Sequence, residues 1–174
     1  MKRIPIDPVA SLVDHFIPGI GLDPATSGTG AHVAVHYYYY NNTNCTFSSC
    51  RLYVGYISSP NGGSTWTPHV RLAGPMTLGE LPNSQNGLMV GDYIATAFTD
   101  GIPHGVFAVA RASAGDPYNE AMFTARGLTV SSQGAVLTSR GDKPLHTMSD
   151  IIERERPEKG QLPPGRRAVK KSSK

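Results

Sequence analysis

Two cysteines, two strand histidines and a run of tyrosines are the residues of this 174-residue chain whose types and spacing invite chemistry. Cys45 and Cys50 flank a four-residue gap between two strand-like segments. A disulfide across such a loop is sterically accessible, two free thiols being the alternative, and the bond would imply an oxidising compartment. A structural zinc needs four ligands, and there is no second cysteine pair to supply them. His32 and His36 fall on one strand face. Four residues along a strand span about 13 Å, too far for one metal ion without a third element. Gly19-Ile20-Gly21 and Gly28-Thr29-Gly30 read as turns with no phosphate-loop continuation. Asn41-Asn42-Thr43 and Asn44-Cys45-Thr46 spell glycosylation sequons, which carry meaning only in a secretory eukaryotic host. No Gly-x-Ser-x-Gly elbow, His-Glu-x-x-His or paired Cys-x-x-Cys occurs, and no cofactor is expected.

The elements that would position these residues read as short strands. Ala31 to Tyr40 is rich in β-branched and aromatic residues. Four consecutive tyrosines cannot share one core. Alternation puts Val33, Val35, Tyr37 and Tyr39 on one face, and His32, Ala34, His36, Tyr38 and Tyr40 on the other. Bulk on both faces suits a sheet packed on both sides. Arg51 to Ser58 is a second strand and Trp66 to Leu72 a third, which Pro68 assigns to an edge or bulge. Leu88 to Phe98, Gly105 to Ala110 and Ala121 to Ala125 follow, separated by Gly, Pro, Asp and Asn. Helical periodicity is missing from this body, which is predicted to be all-β and antiparallel, a sandwich or a propeller.

Charge divides the chain. Residues 1–139 carry six basic and eight acidic side chains and all fourteen aromatics, whereas residues 140–174 carry ten basic and five acidic groups. The basic balance therefore belongs to the tail, and the body is not expected to bind nucleic acid. The tail has too little apolar area to offset ordering at about 1–2 kcal/mol per residue, and is expected to be disordered. Within it, Asp150 to Glu153 has helix N-cap spacing, but Pro157 stops the helix after about two turns. No run of 18 apolar residues is present, so no membrane-spanning helix is expected.

The most informative stretch is Ser59-Pro60-Asn61-Gly62-Gly63-Ser64-Thr65-Trp66, lying between two predicted strands. Asn61 can bond its own backbone in a tight turn, Gly62 and Gly63 supply positive φ, and Trp66 can cover the turn with its apolar face. The pattern Ser59, Asn61, Gly63, Thr65, Trp66 resembles the Asp-box, the repeat of bacterial sialidase-type β-propellers, with Asn61 in place of the usual Asp. From Asp14 to Phe123 the chain resembles the C-terminal part of secreted bacterial proteins of the exo-α-sialidase type. The Asp-box marks a fold and not a catalytic centre.

The resemblance implies a particular chemistry. Sialidases use a tyrosine nucleophile, since a neutral phenol is not repelled by an anionic sugar, and an adjacent glutamate takes its proton. An arginine triad grips the substrate carboxylate, and a separate Asp is the acid. By order along the chain, Arg51 matches the third arginine and Tyr93 the nucleophile, with Glu80 or Glu120 as the base. Arg71, Arg111 and Arg126, the arginines of the body that follow Arg51, do not complete a triad.

A propeller blade takes roughly 40–45 residues and a ring at least four blades. The 139-residue body supplies about three. The expectation is the C-terminal part of a sialidase-like glycoside hydrolase, inactive as an isolated chain. The alternative is a non-catalytic carbohydrate- or protein-binding module. The expected partner is a glycan or glycoconjugate, with self-association through open blade edges as a further expectation. Full-length members are secreted or periplasmic; after Met1-Lys2-Arg3, Pro5, Asp7 and Pro8 interrupt any signal-peptide apolar region.

Overall fold

The computed structural model describes residues 3–4, 6–8, 10–113 and 119–130, and these are all-β: 47% are in strands and all the sheets are antiparallel. The expected disordered tail, residues 140–174, lies outside the described residues. Four strands, β1 (Asp14–Leu22), β2 (Val33–Tyr40), β3 (Arg51–Ser59) and β4 (Val70–Thr77), form a meander in which each pairs with its sequence neighbour. A two-residue hairpin, β5 (Asn83–Ser84) with β6 (Gly87–Leu88), follows. A second meander consists of β7 (Ala95–Thr99), β8 (Ile102–Ala110) and β9 (Glu120–Thr124). Among the described residues no helix is long and apolar enough to cross a membrane.

The doubly bulky strand sits where its pattern requires. β2 is central in the first sheet and is buried along nearly its whole length. Its Ala34, His36 and Tyr38 face the second sheet, and Val35, Tyr37 and Tyr39 face away from it.

The contact between the sheets depends on glycine. A Cβ at Gly19 would lie 2.3 Å from the Ile94 carbonyl oxygen, and one at Gly21 2.8 Å from Thr96. At Gly105 it would lie 2.3 Å from the His36 ring. Backbone and ring thus meet where any side chain would force the sheets apart. Thr96 Oγ1 donates to the Gly19 carbonyl at 2.8 Å and pairs with His36 Nδ1 at 2.8 Å. Since that hydroxyl proton goes to Gly19, His36 Nδ1 is the donor to Thr96 and Nε2 carries the lone pair, which finds no partner. Burial, and secondarily His104, lowers the pKa of this imidazole to about 4.

Side chains also close an open sheet edge. β7 pairs with β8 only as far as Ala95 opposite Val106. Beyond that point the Tyr38 hydroxyl donates to the Ala108 carbonyl and accepts from the Ala108 N–H, both at 2.9 Å, and Met76 Sδ accepts from the Ala110 N–H at 3.2 Å. The first sheet thereby supplies the partners that a neighbouring strand would otherwise give.

Three expectations need correction. Gly19-Ile20-Gly21, expected as a turn, lies within strand β1, which alternation did not mark because its inward positions are Gly19 and Gly21 while Ile20 and Leu22 point to solvent. Residues 66–69 stand outside the ladder, and β4 begins at Val70. The expected strand Leu88 to Phe98 breaks at residues 89–94, where Gly91 takes φ 128°.

Candidate functional site

Ser59, Asn61, Gly63, Thr65 and Trp66 form a turn closed on itself, joining β3 to β4. The Ser59 hydroxyl accepts from the Gly63 N–H at 2.9 Å and the Asn61 N–H at 3.3 Å, and donates to Asn61 Oδ1 at 3.0 Å. Asn61 Oδ1 also accepts from the Thr65 N–H at 2.8 Å, while Asn61 Nδ2 donates to Thr65 Oγ1 at 2.9 Å. Trp66 folds back so that its indole N–H donates to the Gly63 carbonyl at 3.2 Å. Gly62 and Gly63 take φ 63° and 82°, a region where a side chain is strained. The polar side-chain atoms of Ser59, Asn61 and Thr65 are spent inside the turn, so its role is to hold the hairpin.

The residues matched to sialidase chemistry lie apart in function. Arg51, at the start of β3, donates through one guanidinium nitrogen to the carbonyls of Ser48 (2.9 Å) and Cys50 (2.8 Å). It closes the loop in which Cys45 and Cys50 are joined as a disulfide, with a Cα–Cα distance of 4.9 Å. Glu80 ends a short 3-10 turn and accepts from the Thr77 N–H at 2.6 Å. Register pairs Arg51 with Thr77, so Arg51 and Glu80 share one end of the β3–β4 ladder. Tyr93 lies in the 89–94 break and is 87% exposed. Glu120, on β9, has a buried Oε1 with no hydrogen-bond partner, and burial raises its pKa. Among the described residues, no hydrogen bond, ion pair or ring contact joins any two of Arg51, Glu80, Tyr93 and Glu120. A nucleophilic phenol needs a base within reach. Among the described residues, neither Glu80 nor Glu120 is hydrogen-bonded to Tyr93.

The densest assembly of titratable side chains is elsewhere, on the first sheet's face turned away from the second sheet. Cross-strand register aligns His15, Tyr39 and Tyr53 in one row, and Tyr37, Gly55 and Arg71 in the next. Gly55 is required there because a Cβ would meet the Tyr37 ring at 2.6 Å. His69 lies between two phenols, with Nδ1 2.5 Å from Tyr37 Oη and Nε2 3.1 Å from Tyr39 Oη. Tyr39 stacks on Tyr53 at 5.2 Å, and the Arg71 guanidinium sits 5.5 Å from the Tyr53 ring centre. Asp7 Oδ2 meets His15 Nε2 at 2.9 Å, while Ile4, Ile6, Val13 and Trp66 pack over the aromatic rings.

Its electrostatics oppose proton transfer. Burial raises the pKa of Tyr37 and Tyr39 alike, Arg71 partly countering the effect on Tyr39. Burial also lowers the pKa of His69, with Asp7 pulling the other way. A weaker acid faces a weaker base, so the neutral Tyr–His–Tyr chain is the stable form. One phenol donates to the imidazole and the other accepts from it. Alternation had placed Tyr37 and Tyr39 together, but His15, His69, Arg71 and Asp7 come from other segments, and only strand register brings them in. Among the described residues, no group of three or more His, Cys, Asp or Glu could hold a metal ion.

Set against protein-family models, curated proteins and solved structures, the chain finds no match in any of the three.

Proposed function

We propose that this chain contributes consecutive blades of a sialidase-like Asp-box β-propeller, and that in isolation it recognises a glycan or glycoconjugate without hydrolysing it. Support for the architecture comes from a four-stranded antiparallel meander packed face to face on a second meander, the way propeller blades are built and stacked. The observation that carries the non-catalytic reading is the dispersal of the catalytic set. Arg51 holds loop carbonyls through one guanidinium nitrogen, Glu80 accepts from a backbone N–H through one oxygen, and the Tyr93 phenol is exposed.

A second reading keeps the hydrolase. Arg51 and Glu80 share one ladder end, and further blades of a longer protein would supply the remaining arginines and the acid. A fluorogenic sialoside assay combined with glycan-array binding separates the two. The isolated chain is expected to give no turnover and to bind glycan. Turnover that Tyr93→Phe abolishes would establish the hydrolase reading and overturn the first, and absence of both binding and turnover would overturn the glycan reading.

A further inference from the structure

Two asparagines of this chain precede glycine, Asn61-Gly62 in the turn between β3 and β4 and Asn86-Gly87 in the β5–β6 hairpin. We propose that Asn86 is a site of spontaneous, backbone-assisted deamidation in the folded protein, and that the fold protects Asn61 from the same reaction. Water is the only co-reactant. The backbone nitrogen of the following glycine loses its proton to solvent base and attacks the asparagine Cγ. A C–N bond forms, the Cγ–Nδ2 bond breaks, and ammonia leaves with a proton taken from water. The five-membered imide then adds water at either carbonyl and opens to an aspartyl or an isoaspartyl residue. Glycine favours the attack because no Cβ stands in the path of the nitrogen.

The two sites differ in what it takes to free the reacting atoms. In the β3–β4 turn the nucleophile is held, since the Gly62 N–H donates to the Ala31 carbonyl at 2.8 Å. The electrophile is held as well. Asn61 Oδ1 accepts from the Thr65 N–H at 2.8 Å and from Ser59 Oγ at 3.0 Å, and Nδ2 donates to Thr65 Oγ1 at 2.9 Å. The hairpin is built differently. Residues 83–88 are all exposed, and nothing lies within 4 Å of where a Cβ on Gly87 would stand. Its ladder consists of Asn83 opposite Leu88 and Ser84 opposite Gly87, and so short a hairpin is marginal by itself. The Ser84 hydroxyl accepts from the Asn86 N–H at 3.1 Å and donates to the Gly87 carbonyl at 2.8 Å. Among the described residues, the Asn86 side-chain amide has no hydrogen-bond partner. Freeing the Gly87 nitrogen therefore opens only the end of a solvent-facing ladder. One hydrogen bond lowers the open population by about fivefold, so the bonds at Asn61-Gly62, set against one ladder position at Gly87, slow its reaction by about 100-fold. The isoaspartyl product routes the chain through the former side-chain carbon and lengthens the turn by one atom, so Ser84 and Gly87 lose their register.

Peptide mapping by mass spectrometry tests this, with the full chain held folded at neutral and mildly alkaline pH and, in parallel, unfolded in urea. The two sites fall in different tryptic peptides, Leu52–Arg71 and Leu72–Arg111. In the folded chain Asn86 is expected to gain the amide-to-acid mass difference, faster at the higher pH and with isoaspartate in excess, while Asn61 reacts about 100-fold more slowly. In urea the two sites are expected to react at similar rates. Asn86→Gln should abolish the mass gain in Leu72–Arg111. The proposal is overturned if Asn61 reacts as fast as Asn86 in the folded chain, or if the difference between them persists in urea. It is also overturned if folded Asn86 stays intact over the interval that modifies it in urea, or if the mass gain sits on Asn83.

Discussion

Replacing Tyr38 by Phe removes one oxygen atom and leaves the ring, so packing is kept while two hydrogen bonds vanish. The Tyr38 side chain is wholly buried, and its hydroxyl is the partner of both the N–H and the carbonyl of Ala108. β7 has already ended its pairing at that point of β8, so no strand can take over. Each buried group left without a partner costs about 1–3 kcal/mol, which sets the expected loss at about 3 kcal/mol. Tyr56→Phe is the comparator. Its phenol donates to the Thr129 carbonyl, which also receives Ser58 Oγ at 3.4 Å, so that carbonyl keeps a partner and the expected loss is about 1 kcal/mol or less. Urea unfolding followed by circular dichroism reads both variants, with an unchanged denaturant slope showing that the same surface is exposed. Faster hydrogen exchange at the Ala108 amide than at its neighbours in β8 would locate the loss. A Tyr38→Phe variant within about 0.5 kcal/mol of the parent, or no worse than Tyr56→Phe, would refute the edge-closing role.

Gly105→Ala places a methyl group against the His36 ring, and is expected to cost at least about 2 kcal/mol by thermal melting, whereas Gly87→Ala, where the site is open but φ is positive, should cost about 1 kcal/mol. His36 is neutral in the fold, with its pKa lowered from 6.5 to about 4. The unfolded chain thus binds the proton first, and stability from this group is full above pH 6.5 and falls as pH drops to 4, by about 3 kcal/mol in all. A His36→Gln variant should lose that part of the acid limb in urea titrations at stepped pH. Asn61→Ala orphans the Thr65 N–H and unties Ser59, and should cost about 1–2 kcal/mol, while Asn61→Asp, which can accept from the Thr65 hydroxyl, should fall within about 0.5 kcal/mol of the parent.

Legibility in the sequence followed the strength of each local signal. β2 and β3 were readable because Val33 to Tyr40 and Arg51 to Ser58 are dense in β-formers, and alternation assigned the two faces of β2 correctly. The box turn was readable because Ser59, Asn61 and Gly63 can bond only within a few residues of one another. β1 was not, since Gly19 and Gly21 point inward for reasons of inter-sheet distance, and a hydrophobicity pattern cannot register a residue chosen for having no side chain. Trp66 misled in the other direction: an aromatic beside Thr67 and Val70 looks like a strand, yet its indole serves the turn. The cluster around His69 draws on four separate segments, and long-range register is not written in any one of them.

Every strand in the two meanders pairs with a sequence neighbour, and the seam between the sheets joins positions about 70 residues or more apart, such as Thr96 to Gly19 and Tyr38 to Ala108. The order of assembly follows from loop closure. Each hairpin closes a short loop, whereas the seam must close loops of about 70 residues and can form only after both sheets exist. Until then the rows at Gly19, Gly21 and Gly105 lie open, together with the unfilled edge of β8. An unpaired strand edge beside a flat, glycine-lined face is a template for another chain. The glycines that let the finished sheets close so tightly therefore also define the interval in which the protein is most exposed to misassembly during synthesis.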